Sequence, residues 1–361
     1  MLITLLIFLA IVFANVVVAV YVERKVSAFI QDRTGPMEVG KWGVLQLIAD
    51  LLKLIQKEDI VPAAADRRMF KFAPLMIFMV IFAGFALFPL SPNLRGSATQ
   101  TGVFMLLAVV SLDILGILMA GWASNNKYSL LGAMRSVAQI ISYEVPLGLS
   151  VLCVVLITQT LDLQEISFQQ GFLSLEKNYL FGIKATGIEV NQYGGILTWN
   201  IFRNPFLLIV FVIYFIASLA EANRAPFDLP EAESELIGGF HTEYSGFRWA
   251  ILFLAEYGMM LLVSILGAIL FLGSWNTPFP NIGSFTLGSW TSGQFGHWSS
   301  DLWGGFWLIS KAYFLILIQM WVRWTLPRLR VDQLMYLCWK VLTPFCLVLL
   351  LISGVWRLLM I

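Results

Sequence analysis

"SVAQIISYEVPLGLSVLCVVLITQ", residues 136–159, reads as a membrane span with a single carboxylate inside it. About 20 apolar residues in a helix cross roughly 30 Å of hydrocarbon, and this run is long enough. Glu144 sits about nine residues in from Arg135, which is roughly 13 Å from the end of the helix at 1.5 Å per residue. An ionisable group at that depth is costly unless it is paired, hydrated or neutral, which makes it a functional candidate. Pro146 follows two residues later and removes one backbone hydrogen bond, a place where water could enter.

Runs of the same kind recur along the chain. Eight are predicted: 1–22, 72–90, 103–123, 136–159, 204–221, 249–273, 306–323 and 340–360. The composition agrees, with 59% hydrophobic residues, 12% charged residues and a mean hydropathy of +0.81. These values exclude an ordinary soluble domain and indicate an all-α polytopic membrane protein, one transmembrane domain over 1–361. Residues 1–22 lack a basic leader and are followed by Tyr21-Val22-Glu23-Arg24-Lys25 where a small-residue cleavage site would be needed, so they read as a retained first span. Cys153, Cys338 and Cys346 have no metal-ligand spacing and read as small buried residues.

Lysine and arginine set the orientation. The loops after spans 1, 3, 5 and 7, counted with Arg323 and Lys340 at the edges of the last, hold 17 of the 23 basic residues, so loops 23–71, 124–135, 222–248 and 324–339 are expected on the inner side, with both termini outside. The first inner loop contains "GVLQLIADLLKLIQKE" (43–58), with Gln46, Asp50, Lys53 and Lys57 forming one polar stripe on an apolar helix over about 43–57. That helix is too short to span. It either rests in the interface or lines an internal cavity, with Asp50 as its reactive member.

The acids are unevenly placed. Six of the 22 lie between Glu221 and Glu243, namely Glu221, Asp228, Glu231, Glu233, Glu235 and Glu243, with Arg224 the single Lys or Arg among them. "LPEAESELIGG" (229–239) reads as a short helix, with Pro230 in its first turn and Gly238–Gly239 ending it. Glu256 lies about seven residues into span 6, roughly 10 Å deep, and Glu221 closes span 5. Glu144, Glu221 and Glu256 thus come from three spans at comparable depth. Close carboxylates cannot all be ionised cheaply, so such a set can hold and pass protons. The competing reading pairs each acid separately, Glu144 with Arg135 or another cation. Asp113, near the middle of span 3, is a further candidate, although one acid there can also simply bond a neighbouring helix. His241 and His297 are isolated in sequence, and no nucleotide-binding, Ser/His/Asp or metal-site pattern is visible.

Five strings occur in order: "VERKVSAFIQDRTGP" (22–36), "LIADLLKLIQKED" (47–59), "GWASNNKYSLLGAMRSVAQIISYEVPL" (121–147), residues 221–257, and "WVRWTLPRLRVDQLMYLCWKVLTP" (321–344). Together they resemble the quinone-site membrane subunit of respiratory complex I, the proton-pumping NADH:quinone oxidoreductase (the H subunit in bacteria, subunit 1 in mitochondria). The resemblance implies eight spans, an amphipathic inner helix, and a quinone chamber between this subunit and the peripheral arm. By motif, Arg24, Lys25 and Arg33 would flank the chamber's entrance or shape the loop, while Asp50, Arg224, Phe227 and Asp228 would belong to the chamber itself. Glu144, Glu221, Glu231, Glu233, Glu235, Glu243 and Glu256, with Arg135 as counter-charge, would form the proton path.

Quinone would be the substrate. No cofactor would be bound covalently in this chain, while iron–sulfur clusters and FMN would lie in partner subunits. The expected partners are the peripheral quinone-module subunits, neighbouring small membrane subunits, antiporter-like subunits and the bilayer, in a bacterial plasma membrane. Two features depart from the family pattern: long outward loops at 160–203 and 274–305, and Asp113, where a neutral residue is expected. The alternative is the equivalent subunit of a membrane-bound hydrogenase or of a ferredoxin- or F420-linked dehydrogenase. The complete first-loop motif favours the quinone enzyme. A stand-alone transporter is disfavoured by the lack of inverted repeats.

Overall fold

The computed structural model describes residues 2–171, 174, 178–184, 189–229, 238–281, 286–294 and 296–360. Residues 230–237, which carry Glu231, Glu233, Glu235 and most of the short acidic helix expected in the loop, lie outside this description.

Among the described residues the chain folds as a helical bundle, and seven helices are long and apolar enough to cross a membrane. We label the principal helices in chain order: α1 (Leu2–Ile30), α2 (Gln46–Gln56), α3 (Arg67–Phe85), α4 (Gly102–Val110), α5 (Asp113–Ala123), α6 (Lys127–Thr158), α7 (Leu207–Glu221), α8 (Gly246–Phe271), α9 (Trp298–Thr325) and α10 (Val331–Leu359). The fifth predicted span is α7. Its 15 residues reach only about 22 Å, short of a full hydrocarbon thickness.

Local chemistry sets the helix ends. Asp66 Oδ1 accepts from the amides of Arg68 and Met69 to cap α3. Asn126 Oδ1 caps α6 through the Tyr128 amide. Helix α7 stops where Asn223 takes a left-handed conformation (φ 48°) and the Arg224 amide turns back to the Leu219 carbonyl. Glu221 is thereby held in the last turn, close to the Arg224 backbone.

The third predicted span runs from Gly102 to Ala123. A single tightened turn at Ser111–Leu112, both residues still in right-handed helical conformation, joins α4 to α5 end to end. The fourth span is longer than the apolar pattern suggested, because its cap at Asn126 lies well before the apolar run begins.

Helix α8 is the most buried span and packs against α1, α3, α7 and α9. Its residues sort by helical period into two faces. Phe247, Ala250, Ile251 and Leu254 point one way, whereas Leu252, Glu256, Met259, Val263 and Leu266 form a stripe on another side.

Pro146 has no amide to offer the Ser142 carbonyl one turn back. The structure meets that carbonyl from another helix, by the Cys338 thiol at 2.9 Å. Cys338 sits in a π-helical segment, Leu337–Leu342, within α10, and the nearby Tyr143 hydroxyl donates to the Leu334 carbonyl at 3.1 Å. Water is therefore not needed at this carbonyl. Cys338→Ala would remove a partner from a buried carbonyl and is expected to destabilise the α6–α10 contact by roughly 1–3 kcal/mol. Thermal inactivation of the assembled protein measures this, and Cys338→Ser, which keeps a donor, should lose less.

The two long loops, 160–203 and 274–305, are built into the bundle. Lys311 on α9 is buried, and its Nζ donates to the carbonyls of Ser274 (2.9 Å) and Asn276 (2.6 Å) and lies 4.5 Å from the centre of the Trp199 ring. The buried Gln170 amide donates to the Ile269 carbonyl, and its oxygen accepts from the amides of Asn200 and Gly273. These bonds join both long loops to the C-terminal end of α8 and the N-terminal half of α9.

Candidate functional site

Among the described residues, three cavities are bordered by α8. The largest, about 630 Å³, is walled by Phe13, Val16 and Val17 of α1, Leu47, Leu51 and Leu54 of α2, Leu75 and Phe78 of α3, and the Phe247–Leu254 face of α8. Its polar margin is supplied by Arg24, Asp50 and Lys53. Arg24 and Asp50 form an ion pair at 2.7 Å, and Gln46 donates to the other Asp50 oxygen at 3.2 Å. The stripe on α2 therefore faces a cavity, although Ile48, Leu52 and Ile55 on the same helix are exposed in the isolated chain. An apolar chamber of this size with a few polar groups at one edge suits a hydrophobic ligand with a polar head.

The second cavity is small, about 20 Å³, and Asp113, Glu221, Asn223, His241 and Glu256 contribute to its lining. That volume holds about one water. The third, about 160 Å³, is lined by Ser111, Glu144 and Glu221 among apolar residues of α4, α6 and α8. Glu221 borders both cavities and is itself buried, as is Asp113. Asp113 Oδ1, Glu144 Oε1 and Glu221 Oε2 have no hydrogen-bond partner among the described residues. Buried oxygens of this kind are costly unless water or a proton satisfies them.

Beside these cavities, next in sequence to Arg24 and Glu256, Glu23 and Tyr257 belong to a charged cluster. The Glu23 carboxylate binds the Arg323 guanidinium, accepts from the Tyr257 hydroxyl at 2.5 Å and lies 3.9 Å from Arg224. Arg224 stacks over the Tyr257 ring at 4.2 Å. Glu256 lies in the electrostatic field of Arg224, Asp228, Arg323 and Glu23, and its Oε1 is 3.5 Å from His241 Nε2. Successive residues of α1 thus serve different compartments: Arg24 faces the chamber and Glu23 faces the cluster.

Two glycines make the His241 contact possible. Gly132 on α6 abuts Gly239, where a Cβ would come within 2.7 Å of the Gly239 Cα, and Gly239 itself has φ +58°. Only at this spacing does the 238–241 turn bring Phe240 and His241 onto the small cavity.

The residues expected for the chamber divide. Arg24 and Asp50 line the 630 Å³ cavity. Lys25 shapes the neighbouring loop, one of the two roles expected of it, donating to the Pro36 carbonyl at 2.7 Å, while Arg33 is exposed. Arg224 belongs to the charged cluster. Phe227 is buried 5.2 Å from the Tyr143 ring, and Asp228 has its Oδ1 buried without a hydrogen bond among the described residues. None of Arg224, Phe227 and Asp228 lines the large cavity.

Of the acids assigned to the path, Glu144, Glu221 and Glu256 are joined through two adjacent cavities. Glu243 is elsewhere, accepting from Asn126 Nδ2 at 2.6 Å beside the start of α6. Glu144 makes no ion pair among the described residues, so the pairing with Arg135 one helix segment away is not how its charge is met.

A family model described as NADH dehydrogenase matches residues 3–354. The NADH-quinone oxidoreductase H subunit 2 of Cytophaga hutchinsonii is 60% identical over 352 residues, covering 96% of both chains. The H subunit of Chlorobium luteolum is 52% identical over 337 residues (93% of this chain, 83% of the relative), and that of Bacteroides thetaiotaomicron is 42% identical over 340 residues (94% and 85%). The chain belongs to the H-subunit family of NADH-quinone oxidoreductase.

Within this H-subunit fold, the reading of sequence missed Glu23, Tyr257 and Arg323 as a unit. Glu23 lies in the first-loop motif, at the edge of a span and beside two basic residues, where an exposed surface pair is the natural expectation. Its partners are 300 and 234 positions away, a separation that no local pattern encodes. Among the described residues no group of three or more His, Cys, Asp or Glu is arranged to hold a metal ion.

Proposed function

We propose that this chain is the membrane-arm subunit of a bacterial proton-pumping NADH–quinone oxidoreductase, that the 630 Å³ cavity receives the quinone, and that the carboxylate cavities carry protons. Membership of the family supports the enzyme. The observation that carries the site is the common wall: α3 and α8 present apolar residues to the chamber on one face and Ile77, Ile81, Leu252 and Glu256 to the water-sized cavity on another.

Reduction of a quinone takes two electrons, which a peripheral partner supplies, and two protons. The electron carriers, iron–sulfur clusters and FMN, belong to partner subunits. This chain binds the apolar tail and places Arg24 and Asp50 at the polar margin of the chamber. A change in charge there acts on Glu23 through the adjoining turn of α1. Glu23 in turn sets how strongly Arg224 and Arg323 act on Glu256. A proton released or taken up at Glu256 then has a course through the small cavity to Glu221 and through the larger one to Glu144.

The inner side is the side of these cavities, in keeping with the excess of lysine and arginine in the loops that border them. With α7 as a short span whose ends are met by loops, the chain crosses the membrane eight times and both termini face outward. The exposed apolar residues of α2 and the preceding turn, Trp42, Val44 and Leu45 among them, supply a docking face for peripheral subunits on that side.

A photoreactive quinone analogue added to membranes holding the whole complex tests the chamber. Labelling is expected on the walls from α1, α2 and the first two turns of α8, with competition by unlabelled quinone. Labelling confined to the outward loops at 160–203 and 274–305 would refute the assignment.

A further inference from the structure

Asp113 is absent from the residues that the chamber and the path use, yet it is among the most deeply placed acids in the fold. It is only 6% exposed. Its Oδ1 has no hydrogen-bond partner and its carboxylate forms no ion pair among the described residues. The side chain lines the 20 Å³ cavity together with Glu221, Glu256 and His241. A carboxyl that merely tied two helices together would show its bond to the neighbouring helix, and this one shows none.

Helical spacing explains how it arrives there. Ser111 and Asp113, two residues apart in a span that keeps right-handed helical dihedrals through Ser111 and Leu112, project about 200° apart. Ser111 lines the cavity of Glu144, and Asp113, the first residue of α5, lines the cavity of Glu256. Glu221 borders both. The third span therefore contributes one polar side chain to each of two adjoining cavities.

We propose that Asp113 is a proton-carrying residue of the path, taking the proton between Glu256 and Glu221 through the single water that the small cavity can hold. This rests on the proton-path reading above. The step balances without any co-reactant. An acid on one side gives its proton to the water, the water gives another to the next carboxylate, and the water is regenerated. Three carboxyls around one water give that proton a resting place whichever of Glu221 and Glu256 is ionised. They also spare the site a second uncompensated charge.

The test is Asp113→Asn and Asp113→Glu in the complete complex in sealed membrane vesicles. Quinone-reductase turnover and proton pumping are read beside NADH oxidation by a soluble acceptor, which reports the assembled peripheral arm. Asp113→Asn, nearly the same shape, is expected to slow coupled turnover and pumping roughly tenfold or more, with assembly intact. Asp113→Glu, which keeps the acid, should retain most of both. Full pumping in Asp113→Asn overturns the proposal, and so does equal loss in both variants, which marks a structural role. If the Asn variant does not assemble, the Glu variant decides: retained pumping supports the role and loss overturns it. Glu221→Gln is run alongside. Normal pumping in both Asp113→Asn and Glu221→Gln sinks the whole path, whereas loss in Glu221→Gln alone sinks only the role of Asp113.

Discussion

Glu221→Gln is expected to abolish proton pumping and to lower coupled quinone reduction by about a hundredfold, with the protein still in the complex. Glu221 borders both carboxylate cavities, the smaller with Glu256 and the larger with Glu144. A substitution at either end removes one terminus of the route, but a substitution here severs its middle. Glutamine matches the acid in shape, so the packing of the last turn of α7 survives. The Gln139 amide still donates to the Ala220 carbonyl at 2.8 Å and to Asn223 Oδ1 at 3.2 Å. What is lost is a group that can take and release a proton. Turnover with an added quinone, the pumped-proton ratio and the abundance of the protein in the native complex separate these effects. Unchanged pumping would exclude Glu221 from the path, and Glu221→Asp is expected to recover part of the activity.

Replacement of Glu23 should fail in another way. Its carboxylate faces the Arg323 and Arg224 guanidiniums and the Tyr257 hydroxyl, in surroundings where both Glu23 and Arg224 are almost fully buried. Removing one partner of a buried ion pair leaves a charge that water cannot reach, at a cost of about 3–5 kcal/mol. Here Arg323 loses its paired anion and Arg224 a neighbouring one. Glu23→Gln is therefore expected to deplete the protein from the assembled complex, a loss of stability before any loss of chemistry. Adding Arg323→Gln to Glu23→Gln should be less harmful than the sum of the two single changes, because one unpaired charge disappears with it. Native electrophoresis of membranes from the four genotypes gives the comparison. Normal amounts of complex in Glu23→Gln would show that the cluster does not hold the loops together.

The two predictions differ because the two acids differ in partners. Glu23 is surrounded by donors and cations, as a structural carboxylate must be. Glu221, Glu144 and Asp113 each have a buried oxygen with no bond among the described residues, and they border space that water can fill. Sequence could not draw that distinction. All four are acids in or beside apolar runs, and Glu23 even has basic neighbours that resemble a surface motif.

Other features were legible because they depend on short-range pattern. The apolar runs marked the spans, although the tightened turn at Ser111–Leu112 was hidden since no Pro or Gly announces it. The polar stripe of α2 was visible from its spacing, and its two possible settings were separated only by the Arg24–Asp50 pair and the cavity beside it. Pro146 pointed to a freed carbonyl. That Cys338 would meet it could not be read, because the thiol approaches from a helix nearly 200 residues on.

By itself the sequence determined the all-helical membrane class, the side on which the charges gather, the family and a set of candidate acids. These follow from transfer energies and residue spacing, which act along the chain. Tertiary structure alone decided which acids share a cavity, which are neutralised by arginine, and that Asp113 joins Glu221 and Glu256. Those outcomes depend on helix rotation and on approaches such as Gly132 to Gly239, where angstroms across the bundle decide between an ion pair and a water-filled gap.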